Sequence, residues 1–163
     1  MPALTLRPAT RTDVEAIARI WAAGWADGHL GHVPEALVAA RTPDSFAPRV
    51  PGRLDDVTVA VIDGVVVGFA MVTGDEVEQV YVDRAARGGG AASALLADAV
   101  RRVGAAGHAI AWLAVVPGNA RARRFYEREG WRDEGPVDYE VTAAGATLVV
   151  PCHRMTIATV PPT

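Results

Sequence analysis

Hydrophobic and polar positions change period several times along the chain, and each change marks an element. Residues 4–7 alternate as a short first strand. Thr12 followed three residues later by Glu15 is a capping-box pattern. Behind it Val14, Ile17, Trp21 and Trp25 recur at helical spacing, which predicts a first helix to about Gly28. Pro34 opens a short second helix over residues 35–40. Pro43, Pro48, Pro51 and Gly52 then break any period, so residues 41–54 read as loop. Residues 56–62 and 65–73 are β-branched runs separated by Asp63-Gly64, the signature of a hairpin whose type I′ turn needs φ > 0 at both positions. Residues 77–82 form a further strand. Leu95, Leu96, Ala99, Val100 and Val103 line one face of the next helix, and residues 109–116 the next strand. Asn119 caps a helix that ends at Gly130, and two last strands, 132–141 and 147–157, enclose the turn Ala143-Ala144-Gly145.

This order predicts a single α/β domain over residues 1–158 with a short flexible tail, 159–163. A strand–helix–strand passage means one parallel crossover pair inside an otherwise mostly antiparallel sheet. The length, 163 residues, suits one core and not two.

Composition narrows the chemistry. All 16 basic residues are arginine. Without lysine there is no Walker-type phosphate loop and no Schiff-base catalysis. The single cysteine excludes an internal disulfide or a multi-cysteine zinc cage. A net charge of -3 gives no support to a nucleic-acid-binding surface. No apolar run approaches the ~20 residues of a membrane span, and residues 1–11 hold no apolar signal-peptide core. The expectation is a cytoplasmic protein with neither nucleic acid nor membrane as partner.

The sharpest chemical signal is Arg87-Gly88-Gly89-Gly90-Ala91-Ala92-Ser93, between a strand and a helix. Glycines let the backbone approach a ligand, the helix start offers unpaired N–H groups, and Arg87 adds a two-pronged cation. Together they read as a phosphate or pyrophosphate cradle; a flexible turn before an ordinary helix is the plainer alternative. A dinucleotide fingerprint would need glycine where Ser93 stands and a carboxylate ending the next strand, which instead ends Val115-Val116-Pro117.

The stretch resembles motif A of the GNAT superfamily of acyl-CoA-dependent N-acyltransferases, with Arg87, Gly90 and Ala92 filling its pattern. Asn119, Ala122, Tyr126, Gly130 and Trp131 resemble the family's motif B, in the family's order and spacing. Two positions depart: Ala92 stands where many relatives carry glycine, and Arg84 where many carry proline. The match in element order runs from about residue 4 to 157.

The resemblance implies a GNAT-like fold in which the fourth and fifth strands, 77–82 and 109–116, splay to admit acetyl-CoA as cosubstrate, with no metal. It places the pantetheine along Val80, Tyr81 and Val82, and the pyrophosphate on Arg87, Gly88, Gly89, Gly90, Ala91, Ala92 and Ser93. Asn119, Ala122 and Tyr126 complete the cofactor contacts; Asn119 reads equally as a plain helix cap. The implied reaction is direct transfer to a primary amine of a small molecule or peptide, through a tetrahedral oxyanion held by a strand amide. Tyr126 falls at the general-acid position, where a phenol with pKa ~10 meets a thiol near ~8.5. Glu76 and Glu78 share a strand face and are candidate bases, Glu78 one step nearer the cleft; solvated carboxylates are the alternative.

Trp21, Trp25, Asp27, His29, Phe46 and Tyr139 are the candidates for the acceptor site, although Trp21 and Trp25 lie at i, i+4 on the apolar face and core packing is the better reading for at least one of them. His29 and His32 lack a third metal ligand and read as solvent histidines. Cys152 reads as a buried, inert thiol. Arg121, Arg123 and Arg124 fit either the adenosine 3′-phosphate or a solvated face. A non-catalytic acyl-CoA sensor and a protein N-terminal acetyltransferase are the competing functions. Many relatives form homodimers; no residue pattern here marks an interface.

Overall fold

The computed structural model describes residues 3–160. Seven strands form one sheet in the order β1-β2-β3-β4-β5-β7-β6. They are β1 (Leu4–Pro8), β2 (Val57–Ile62), β3 (Val65–Thr73), β4 (Glu76–Val82), β5 (Ile110–Val115), β6 (Arg132–Ala143) and β7 (Ala146–Ala158). The helices are α1 (Val14–His29), α2 (Glu35–Ala40), α3 (Ala91–Ala105) and α4 (Ala120–Arg128). All pairs are antiparallel except β4–β5. The 41–54 segment, read as loop, is wound into short 3₁₀ turns at Pro43–Ser45, Ala47–Arg49 and Pro51–Asp56. Prolines at the first positions of these turns set φ where a turn needs it.

Helices cover both faces of the sheet, so the central strands are apolar on both sides. Val57 and Val59 of β2 face one core, with Trp21, Phe46, Phe69 and Met71; Ala60 and Ala70 face the other, with Leu95, Leu96 and Val103. This is why the strands read as continuous β-branched runs. The turns behave as their residues require: Asp63 and Gly64 have φ of 51° and 75°, and Ala144 and Gly145 repeat those values.

The first helix starts differently from the expected pattern. The cap is Thr10 with Asp13, not Thr12 with Glu15. A 3₁₀ turn, Arg11–Asp13, precedes α1 and brings the chain in a turn earlier. The buried Asp13 carboxylate accepts from the Thr10 amide at 2.8 Å and from both prongs of Arg7 at 2.7 and 3.0 Å. At the other end, Thr159 is tied down, donating from its amide to Ala109 O at 3.0 Å and from Oγ1 to His108 O at 2.8 Å. Of the expected tail, residues 161–163 lie outside the described residues.

Candidate active site

The site begins where the sheet comes apart. Strands β4 and β5 share one register pair, Glu76 with Trp112. Trp112 reinforces it twice, donating from its amide to Asp75 O at 3.0 Å and from its indole to Asp75 Oδ1 at 2.9 Å. Beyond this rung the strands diverge, and residues 77–82 have no partner on the β5 side. The opening is a cavity of about 680 Å³. Its walls come from α1, β4, β5, α4, the 41–54 segment and the β6–β7 hairpin.

At the glycine turn, Gly88 and Gly90 adopt φ of 85° and 88°, which only glycine takes without strain. Gly90 is the N-cap of α3, and the first α3 bond is from the Ala94 amide to Gly90 O at 3.0 Å. Among the described residues, the amides from Gly88 to Ser93 have no carbonyl or side-chain acceptor. They form a row of free donors at the positive end of a 15-residue helix. Arg87 stands beside them, held by Asp27 Oδ2 at 3.0 Å, while Arg84 takes the other oxygen at 2.8 Å. These arginines hold the Asp27 carboxyl below its ordinary pKa, Arg84 by the larger effect. Asp27, expected in the acceptor site, does not line the cavity; it is engaged by Arg84 and Arg87 beside the glycine turn.

Tyr126 lines the cavity from α4. Its ring packs against Phe125 and Trp131, with centroids 5.5 and 6.1 Å away. Burial alone pushes the phenol up to about 12, so it is protonated at neutral pH. Asn119 Oδ1 accepts from the Ala122 amide at 3.2 Å and fixes the start of α4. Tyr81 is wedged under α1, where a β-carbon on Gly24 would stand 2.3 Å from its ring.

The two carboxylates of β4 differ in company. The register shifts between Met71 and Val72, so β4 carries one extra residue there, Glu78, a β-bulge. Glu78 is paired with Arg53, which also binds Asp56 at 2.8 Å, and it accepts from Thr73 Oγ1 at 3.2 Å. Among the described residues Glu76 has no ion pair, although the Arg53 charge acts on it from farther off. It accepts from Tyr139 Oη at 2.5 Å. Burial raises its pKa above the ordinary carboxylate range, and the Tyr139 bond opposes that shift. Burial and then the Glu76 bond raise the Tyr139 phenol.

Of the expected residues, Glu76, Glu78, Val80, Tyr81, Val82, Arg87, Ala92, Asn119, Ala122 and Tyr126 share the cavity with Trp21, Trp25, His29 and Tyr139. Gly88, Gly89, Gly90, Ala91 and Ser93 form the turn at its rim; Ala91 packs into the core, and Ser93 Oγ donates to Glu129 at 2.5 Å. Phe46 is not on the wall: it is 1% exposed and packs edge-on under Trp21, 5.4 Å away. His29 stacks flat on Trp25 at 4.8 Å and donates from Nδ1 to Trp25 O at 2.9 Å; desolvation lowers its pKa. His32 lies away from the cavity, against the backbone of Gly118. The three arginines of α4 separate: Arg121 faces the cavity, Arg123 binds Asp133 at 3.2 Å, and Arg124 is exposed. Cys152 lines the cavity from β7, and burial pushes its thiol up to about 11. Sequence reasoning missed Arg41, Arg49, Arg53 and Arg128, all on the wall. The first three lie in or beside the proline-rich turns, where no period reports which way a side chain faces.

Residues 27–131 match the model of the acetyltransferase (GNAT) family, and the chain belongs to that family. A GCN5-related N-acetyltransferase from Rhodopseudomonas palustris is 27% identical and superposes with a TM-score of 0.71, over 97% of this chain and 96% of that one. YncA of Salmonella typhimurium, a putative acetyltransferase solved with acetyl-CoA, is 20% identical with a TM-score of 0.70, over 99% and 96%. A ribosomal-protein-alanine N-acetyltransferase from Brucella melitensis is 23% identical with a TM-score of 0.69, over 94% and 99%. No curated protein sequence matches the chain. No helix among the described residues is long and apolar enough to cross a membrane.

Proposed function

We propose that this protein is an N-acetyltransferase that moves an acetyl group directly from acetyl-CoA to the primary amine of a small molecule or peptide. One observation carries the reading. Tyr126 and Glu76, a protonated phenol and a carboxylate with no ion pair among the described residues, face the cavity that opens where β4 and β5 part.

The residues present fit acyl-CoA. The free amides of Gly88 to Ser93 with Arg87 suit a pyrophosphate. The unpaired edge of β4 suits the amides of a pantetheine, which would add to the sheet along Val80 to Val82 as a strand does. Arg121 and Arg128 face the cavity from α4 and suit a further phosphate. Bound there, acetyl-CoA supplies the activated acyl carbon and a thiolate leaving group.

In this scheme Glu76 takes the proton that the attacking ammonium must lose. A carboxylate with a raised pKa is the better base for that task, and Glu78 is neutralised by Arg53. Attack of the free amine would form the C–N bond and a tetrahedral oxyanion; the nitrogen's second proton would pass to solvent, and collapse of the oxyanion would break the C–S bond. Amides of the β4 edge stabilise the charge developing on the carbonyl oxygen. Tyr126 gives its proton to the departing sulfur and recovers one from solvent.

The test is thermal unfolding with and without acetyl-CoA, followed by acetyl transfer to a panel of amines. Binding well above Kd raises the midpoint by mass action. The reading requires both that rise and turnover of at least one amine. Stabilisation with no turnover on any amine supports an acyl-CoA sensor instead.

A further inference from the structure

The acceptor end of the cavity holds an imbalance of charge. Arg41, Arg49 and Arg53 of the 41–54 segment line it together with Glu76, Glu78, Tyr139 and Tyr81. Arg53 is accounted for by Asp56 and Glu78. Arg49 is not. Its guanidinium carbon lies 4.3 Å from the Trp21 ring centroid and 5.4 Å from that of Phe46, and Nη1 is buried with no hydrogen-bond partner. Desolvation lowers its pKa to about 10 and the neighbouring Arg41 charge adds to this, while Tyr81 and Glu78 oppose it. Arg41 has no carboxylate partner among the described residues either; its polar contact is a long 3.5 Å bond to Thr142 O.

A buried guanidinium without an acceptor is costly, and aromatic faces offset only part of that cost. The five N–H donors of arginine are arranged to match an oxyanion with two prongs. Arg49 is thus preset by stacking, desolvated, and left with a buried donor nitrogen that has no acceptor among the described residues. Glu76, which has no ion pair among the described residues, faces the same space. The two charges are of opposite sign and line one cavity.

We infer that the amine acceptor is a small zwitterion of the amino-acid type, whose carboxylate is bound by Arg49 with Arg41 while its ammonium is presented to Glu76. This rests on the acetyltransferase reading above and specifies its substrate class. It makes Arg49 a residue that sets specificity rather than one that takes part in proton transfer.

The experiment compares three matched sets in the presence of acetyl-CoA: L-amino acids, the corresponding amino-acid amides, and the corresponding decarboxylated amines. The acids should be turned over with kcat/KM at least about tenfold above either neutral-tailed set, the difference one charge-assisted hydrogen bond supplies. Arg49→Gln should raise KM for the best acid by at least about tenfold, with kcat moved less and KM for acetyl-CoA unchanged. Arg49→Lys should restore part of the loss. If Arg49→Gln does not fold, the wild-type comparison decides alone. Amides or decarboxylated amines used as well as the acids overturn the inference, as does an unchanged KM in folded Arg49→Gln. So does a midpoint raised by acetyl-CoA with no acid turned over, an outcome that leaves cofactor binding standing. A midpoint that acetyl-CoA does not raise removes the acetyltransferase reading itself.

Discussion

Tyr139 Oη donates to Glu76 Oε2 at 2.5 Å, across 63 residues of sequence and over the face of two intervening strands. The phenol comes from β6 at the sheet edge, and its ring lies edge-on to Trp112 of β5, 6.2 Å away. The bond favours the ionised carboxylate, against the burial that raises its pKa. Tyr139→Phe removes the opposing effect and leaves the burial. Glu76 then ionises at a higher pH, so the acidic limb of the kcat/KM profile should move to higher pH. An acidic limb that stays in place would show that Glu76 is not the base.

Glu76 and Glu78 can be separated directly. Glu76→Gln should lower kcat about a hundredfold, the scale of a lost general base, and flatten the acidic limb. Glu78→Gln leaves Arg53 with Asp56 as its remaining ion pair and should cost stability more than turnover. The reverse ranking, with Glu78→Gln abolishing the pH dependence, sinks the assignment.

Tyr126→Phe keeps the packing on Phe125 and Trp131 and deletes the proton donor. It should reduce kcat about a hundredfold with little change in the KM for acetyl-CoA. Unchanged kcat on the best amine would exclude the acid role.

Gly24 is a glycine because Tyr81 occupies the space a β-carbon would need, at 2.3 Å. Gly24→Ala gains about 1 kcal/mol of helix propensity and loses about 1–3 kcal/mol to overpacking. The ring is also packed against Phe69, with centroids 5.9 Å apart. The variant should melt lower than the wild type, and its KM for acetyl-CoA should rise as β4 is pushed aside. A melting temperature above the wild type's would refute this account of the α1–β4 contact.

Asp13 links stability to acid. Its pKa is lowered, chiefly by Arg7, so its contribution is present above the unfolded value and is lost as pH falls through the folded value. Asp13→Asn should cost about 1–3 kcal/mol at pH 7, toward the lower end because Arg7 is 43% exposed and screened. Denaturant curves of variant and wild type should converge below the carboxylate range. A constant difference down to that pH would count against the ion pair.

Local chemistry made much of this molecule readable in advance. Asp63-Gly64, the glycine run before α3 and the Asn119 cap each act within a few residues, so the chain carries them openly. The first cap was misplaced by two residues because Thr10 and Thr12 offer nearly equivalent starts, and Arg7 favours the one that buries Asp13. The hidden part is made of long-range pairs: Glu76 with Tyr139, Glu78 with Arg53, Asp27 with Arg87, Arg49 over Trp21. Nothing in the spacing of Glu76 and Glu78 distinguishes them; a bulge in β4 and an arginine from a proline-rich turn do.

The lone rung between Glu76 and Trp112 has a mechanical consequence. A sheet sewn at one stitch is two panels, β1 to β4 and β5 to β6, each laced by its own ladders and hinged at Asp75–Trp112. Such a seam gapes first under heat or denaturant. A molecule that laid its own amides into the gap would turn two panels into one continuous fabric. Amide exchange along residues 77–82 should then slow more on cofactor addition than anywhere else in the sheet, recording the moment at which the ligand becomes part of the fold.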